Sequence, residues 1–280
     1  MTAPKNIRAS VFVAGAVLAA ALLLSASPAS ARLAGSEVRD NLAAAEQAFH
    51  RAMDLDRTDP EAARAYYQDA ILNFERIVNE GGVRNGSLYY DIGNAYFRLG
   101  DLGRAILNYR RSGLYMPNDP NLKQNLEYAR NRRADRIERT EQENVYRTLF
   151  FVHYDVPSRA KLIIFAACFA AVWVSAGLRL FVRAGSLKAV LVIAAVASGI
   201  FLASLAVDAV SFESRPPGVI TASEVTGRMG DADSYQPSFK EPLHAGTEFK
   251  LLEKRADWWR IELDSGETTW IPTGSADLVL

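Results

Sequence analysis

The chain reads as a multidomain membrane protein: an all-α region, a two-helix transmembrane hairpin and a small all-β domain. Three observations predict this. Apolar residues recur at helical spacing within 32–150, two predominantly apolar blocks follow at 160–182 and 189–210, and over 214–280 the pattern changes to short alternating runs closed by turns. The 280 residues leave room for two modest domains beside the apolar blocks. Lysine plus arginine, 32, balance aspartate plus glutamate, 32, so no basic excess points to nucleic acid. Cys168 is the single cysteine, and His50, His153 and His244 show no ligand spacing. No metal and no cofactor is expected.

An export signal is expected at 1–31. Lys5 and Arg8 form a basic start, Val11 to Leu24 is apolar, and Ala29-Ser30-Ala31 gives a small-x-small cleavage pattern. The blocks at 160–182 and 189–210 each approach the ~20 apolar residues that cross a bilayer, and neither has a polar face. Arg183 to Lys188 makes a short connector, so the two spans form a hairpin. A cleaved signal exports the helical region and places both soluble domains outside the cytoplasm, in the periplasm where one exists. Arg179, Arg183 and Lys188 then fall on the cytoplasmic side, as positive-inside bias requires, although Arg147, Arg159 and Lys161 run against it. Asp208, at the end of the second span, is expected to reach for the interface. Phe150 to Tyr154, with His153, reads as an interfacial segment in contact with lipid headgroups.

Within 32–150, Leu42, Ala45, Phe49 and Met53 form one helical stripe, and Tyr67, Ala70, Ile71, Phe74, Ile77 and Val78 another. Asp59-Pro60 and Asp119-Pro120 are helix starts with proline at the first position. From Tyr89 to Pro117 the chain carries Ile92-Gly93, Tyr96, Gly100, Ala105 and Tyr109, and it resembles a tetratricopeptide repeat. Gly93 and Ala105 are small where paired helices approach, and Tyr96 and Tyr109 fill the space between them. Ser112 stands where alanine is usual. Ala70 and Phe74 mark part of a preceding repeat, and the helix after Pro120, with Leu122, Leu126 and Ala129, a closing half-repeat.

The resemblance implies a concave surface lined by Ser87, Tyr90, Asn94, Phe97 and Arg98, then by Gln124, Tyr128 and Asn131. Asn94 and Arg98, one turn apart, suit an extended peptide backbone or a carboxylate; an ordinary solvated helix face is the other reading. Arg130 to Arg139 reads as a mixed salt-bridge face or a lipid-headgroup contact.

The C-terminal stretch from Gly246-Thr247, through Trp258-Trp259 and Asp264-Ser265-Gly266, to Trp270-Ile271-Pro272 resembles bacterial SH3-like domains, implying a small all-β barrel. Thr269 stands where a closing glycine is usual. Alternation turns Trp259, Ile261 and Leu263 toward the core and leaves Trp258 the more exposed, with Tyr235 and Phe239 as companions on a ligand surface. Edge packing is the alternative.

No phosphate loop, nucleophile elbow or zinc-protease pattern occurs, and an enzyme is not expected. The order of segments, with Gly93 to Tyr109, Asn118-Asp119-Pro120 and the lead from Arg147 to Tyr154, resembles the BatE-like membrane proteins of the Bat aerotolerance group. That resemblance implies a scaffold of the inner membrane whose partners are von Willebrand A-type membrane proteins and a MoxR-type AAA ATPase. A peptidoglycan-binding tether or envelope sensor is the competing expectation.

Overall fold

The computed structural model describes residues 33–137, 156, 158–179, 181 and 184–279. The expected export signal at 1–31 and the aromatic stretch Phe150 to Tyr154 lie outside the described residues. The chain divides into two compact units between Arg84 and Asn85, within the region 32–150.

The first unit contains helices α1 (Gly35–Leu55) and α2 (Pro60–Asn79), packed on each other. Asp59 caps α2 by accepting from the Ala62 N–H at 3.1 Å, and Pro60 sits where no donor is needed. From α2, Tyr67, Ala70, Ile71, Phe74 and Ile77 are buried, as their spacing requires. The stripe on α1 differs from expectation. Its buried residues are Ala45, Ala48 and Ala52, whereas Leu42 and Met53 are exposed. Spacing alone does not distinguish an alanine seam from its larger neighbours, and here the methyl groups make the seam, with Phe49 set edge-on to Tyr67 at 5.5 Å.

The second unit opens with α3 (Gly86–Leu99), α4 (Leu102–Tyr115) and α5 (Pro120–Arg130). Asn85, Asp101 and Asp119 cap them, accepting from the N–H groups of Leu88, Arg104 and Leu122 at 2.8, 2.9 and 2.8 Å. Gly100, at φ 81°, ends α3 in the left-handed region that favours glycine. A Cβ on Gly93 would stand 2.6 Å from the Tyr109 ring, so α3 and α4 approach as closely as glycine allows. Ser112 is fully buried and donates to the Gly86 carbonyl at 2.8 Å, tying α4 to the start of α3 where alanine has no donor.

Helices α6 (Ser158–Leu178) and α7 (Gly185–Ser214) pack along each other, and both are long and apolar enough to cross a membrane. Ile163, Trp173, Val174, Ile193, Val196 and Ile200 are exposed on them. The connector lies earlier in the chain than expected, because α6 ends at Leu178 and Gly185 to Lys188 already belong to α7. Asp208 does not reach alone for an interface. Lys161, 1% exposed, donates to its carboxylate at 2.6 Å, so these two charges on facing apolar helices are each other's counter-ion.

Seven strands follow: β1 (Pro217–Ile220), β2 (Glu224–Val225), β3 (Leu243–His244), β4 (Glu248–Lys254), β5 (Trp258–Leu263), β6 (Thr268–Pro272) and β7 (Ala276–Leu278). Five form an antiparallel sheet in the order β6-β5-β4-β1-β7, and β2 pairs with β3. Trp259, Ile261 and Leu263 enter the core with Ile220, Phe249, Leu251 and Ile271, while Trp258, Arg260 and Glu262 face away, as alternation predicts. Gly266, at φ 82°, turns β5 into β6. The Thr269 hydroxyl donates to the Arg228 carbonyl at 3.1 Å and meets Ser238 Oγ at 2.9 Å. It thereby ties the long loop between β2 and β3 to the sheet, work that a glycine there cannot do.

The sheet packs against the helices of the same unit. Val219 and Val279 are buried in one cluster with Ala105, Ile106, Leu107, Tyr109, Leu122 and Ala129. Arg111 donates to the Leu278 carbonyl at 2.8 Å. Gly103 is the tightest point: a Cβ there would lie 2.7 Å from the Ile220 carbonyl oxygen and 3.0 Å from Thr221 Cα, both backbone atoms. Gly103→Val therefore has to push β1 away from α4 and should cost about 1–3 kcal/mol, the usual penalty of overpacking. A lowered thermal midpoint of the full chain in detergent, followed by tryptophan fluorescence, checks this. Gly113→Ala on the same helix, whose nearest atom would be Leu122 Cδ2 at 4.0 Å, should leave the midpoint level or higher.

Candidate functional site

Helices α3 and α5 bring most of the expected surface residues together. Arg98, Gln124 and Asn131 are exposed, Tyr90 and Phe97 are half-buried, and Tyr128 is 51% exposed. The rings of Phe97 and Tyr128 meet at 5.6 Å across the two helices. Ser87 lies at the exposed start of α3, its Oγ 3.9 Å from Met116 Sδ.

Asn94 has partners of its own between the helices. Its carbonyl oxygen accepts from the Tyr109 hydroxyl at 2.9 Å and from the Asn125 amide at 3.1 Å, and Asn125 also donates to the Tyr90 hydroxyl at 2.9 Å. Asn94 thus joins α3 to α4 and α5 as part of an internal network instead of offering its oxygen to a ligand. Burial pushes the phenols of Tyr90 and Tyr109 above their ordinary value, so both stay neutral donors and acceptors near neutral pH.

One cationic residue on this face was not singled out from the sequence. Arg132, just past α5, lies over the Tyr128 ring at 4.7 Å and the Phe97 ring at 5.5 Å, and it donates to the Tyr128 hydroxyl at 2.7 Å. It sits within an arginine-rich run, and no local pattern distinguishes it from neighbours that turn the other way.

Those neighbours form a second constellation. Glu248 opens β4 and is only 9% exposed. Arg130 grips it through two nitrogens at 2.8 and 2.9 Å, Arg110 lies at 2.9 Å, and Arg133 at 3.2 Å. Glu127 takes a further nitrogen of Arg130 at 2.6 Å. Burial on its own would raise the Glu248 carboxyl; the Arg130 hydrogen bonds and the charges of Arg110, Arg130 and Arg133 outweigh it and hold the group below its ordinary value. Nearby, Asp135 accepts from the His244 N–H at 2.7 Å and the Thr247 hydroxyl at 2.6 Å, and its other oxygen meets His244 Nδ1 at 2.7 Å. The run from Arg130 thus carries the ion pairs expected of it, but over the described residues 131–137 it is a strap clipped to the sheet and not a helix face, with Ile137 packed on the sheet core.

Of the three residues expected to share a ligand surface on the sheet, Trp258 lies in β5 and Tyr235 and Phe239 in the loop between β2 and β3. Phe239 packs against the sheet core, Tyr235 is exposed and lies against Gly230, and Trp258 is half-buried at the start of β5. Among the described residues no ring contact joins them. Arg255 instead lies over Trp270 at 4.6 Å.

Because the folded-state pKa of Glu248 is depressed, its contribution to stability is present above the unfolded glutamate value and is lost as pH falls through the folded value. Asp135 is held low in the same sense by its hydrogen bonds from Thr247 and His244, which outweigh burial. The thermal midpoint of the intact chain should hold from neutral pH down to roughly pH 4–5 and fall steeply below it. Glu248→Gln should start lower and lose much of that acid dependence; an unchanged profile in the variant would show that the carboxylate is not what titrates.

No protein family, characterised protein or solved structure matches this chain in sequence or structure comparison.

Proposed function

We propose that the chain is a non-catalytic scaffold of the bacterial cell envelope: a short tetratricopeptide-repeat array and an SH3-like barrel anchored by a two-span membrane hairpin. The observation that carries this reading is the open face of α3 and α5, where Tyr90, Phe97, Arg98, Gln124 and Tyr128 stand on a rigid helical layer. Aromatic and arginine side chains on such a layer have the composition of protein-binding surfaces. The fit of Gly93 against Tyr109 supports the repeat assignment, and the five-stranded order with a turn at Gly266 supports the barrel. A two-helix anchor returns the chain to the side it left, consistent with the packing of β1 and β7 on helices that precede it.

Orientation toward the periplasm rests on the signal-like start and the cytoplasmic bias of Arg179, Arg183 and Lys188. Resemblance to BatE-like proteins nominates von Willebrand A-type membrane proteins and a MoxR-type ATPase as partners. A peptidoglycan tether has less support, since Phe239 is partly buried against the sheet core and, among the described residues, no ring contact joins Tyr235 to Trp258.

Affinity purification of the intact protein from membranes in mild detergent, with mass spectrometry of what accompanies it, tests the reading. Stoichiometric recovery of membrane proteins of the von Willebrand type is the expected result. Arg98→Glu combined with Tyr128→Ala should cut that recovery about tenfold or more while the thermal midpoint moves only a few degrees, because both side chains are exposed. Asn94 is the wrong residue for this test, as its loss removes the acceptor of the buried Tyr109 hydroxyl. Recovery of only wall-associated proteins, or equal recovery by the variant, overturns the reading.

A further inference from the structure

We infer that the segment this face takes is acidic, and that Arg132 is the residue that reads its carboxylates. The inference rests on the scaffold reading and adds the chemistry of the ligand.

Arg130, Arg132 and Arg133 lie within one turn, yet their surroundings are opposite. Arg130 and Arg133 are spent on Glu248 inside the seam with the sheet. Arg132 turns to the exposed face and stacks on Tyr128 and Phe97, and no carboxylate among the described residues pairs with it. The acids nearest along the chain are committed elsewhere: Glu127 to Arg130 at 2.6 Å, and Asp135 to His244 and Thr247. Among the described residues, the surface therefore carries a guanidinium without a carboxylate partner, stacked on the Phe97 ring that α3 presents next to the exposed Arg98 in sequence.

That guanidinium is also pre-organised. Two rings and the hydrogen bond to the Tyr128 hydroxyl hold its plane, which removes much of the side-chain entropy that exposed ion pairs ordinarily cost. Tyr128 occupies one donor and leaves the rest of the fork, which matches a carboxylate in a bidentate contact. Flanking amides of Gln124 and Asn131, both exposed, suit the backbone of an extended chain. A rigid aromatic base, a cationic fork and neutral amides fit an acidic peptide better than a lipid surface, which asks for a broad basic field.

The test uses the full chain in nanodiscs of zwitterionic lipid at low salt, and as probe a fluorescent octapeptide with glutamate at alternate positions. A matched peptide with glutamine at those positions is the reference. Anisotropy should show the glutamate peptide binding roughly tenfold tighter than the glutamine one. Arg132→Gln should erase that preference. Arg132→Lys should keep only part of it, since an ammonium neither stacks nor forks in the same way. Arg260→Gln, an exposed arginine on the sheet, should change nothing.

Equal binding of the two peptides, or a preserved preference in Arg132→Gln, overturns the inference. So does displacement of the glutamate peptide by phosphatidylglycerol vesicles from the wild type but not from Arg132→Gln, which would give Arg132 to the membrane surface. Should the peptide fail while the wild type still captures partners, only the acidic chemistry falls; should capture fail as well, the scaffold reading falls with it.

Discussion

The grip of three arginines on Glu248 is the constraint from which much of the second unit follows. Arg110 comes from α4, Arg130 from the end of α5, Arg133 from the strap beyond it, and Glu248 from the first position of β4. A buried carboxylate is tolerable only when its counter-charges and hydrogen bonds exceed the loss of water, and here they do. The cost of breaking such a cluster lies mainly in what is left behind, a charge without a partner in a place water barely reaches. Apolar packing of Val219 and Val279 among the helices gives the seam its area, and the ion cluster fixes its register.

Since the sheet follows α7 in sequence and the helices precede α6, this seam also constrains the pair between them. The chain has to leave the helices, run down α6, return along α7 and deliver β1 back to α4. Lys161 and Asp208 sit near the start of that excursion and near its end, and their pairing aligns the two apolar helices at the level where the chain departs and comes back. In the proposed membrane setting, an odd number of crossings at this point is incompatible with the seam.

Much of this architecture is legible locally. Asp59-Pro60 and Asp119-Pro120 start their helices because capping and proline chemistry act within one turn. The alternation from Trp258 to Leu263 assigns the faces of β5, and two apolar blocks announce α6 and α7 by length alone. Short strands such as β2, β3 and β7 carry too few residues for a period to register. The surface was legible in part: α3 and α5 present Arg98, Gln124 and Tyr128 as the repeat resemblance implies, but Asn94 is engaged by Tyr109 and Asn125, a partner choice made between helices. Glu248 looks like any strand glutamate, and its arginines lie more than a hundred positions away. Long-range electrostatics leaves no periodic trace. Arg132 was hidden for the same reason, since only the fold separates it from Arg130 and Arg133.

The helical layer stays open on one face because the sheet takes another, so a partner-binding role and a firmly docked sheet are compatible in one body. Whether the Glu248 cluster truly joins sheet to helices is therefore the question beneath both proposals. A double-mutant cycle on the intact chain, combining Arg130→Ala with Glu248→Ala and read by denaturant unfolding in detergent, tests it most directly. The account predicts that either change alone is severe and that the pair is far from additive, with a coupling toward the upper end of the roughly 0.5–3 kcal/mol found for contacting residues. Additive losses would contradict it and leave the sheet and the helices as neighbours rather than one unit.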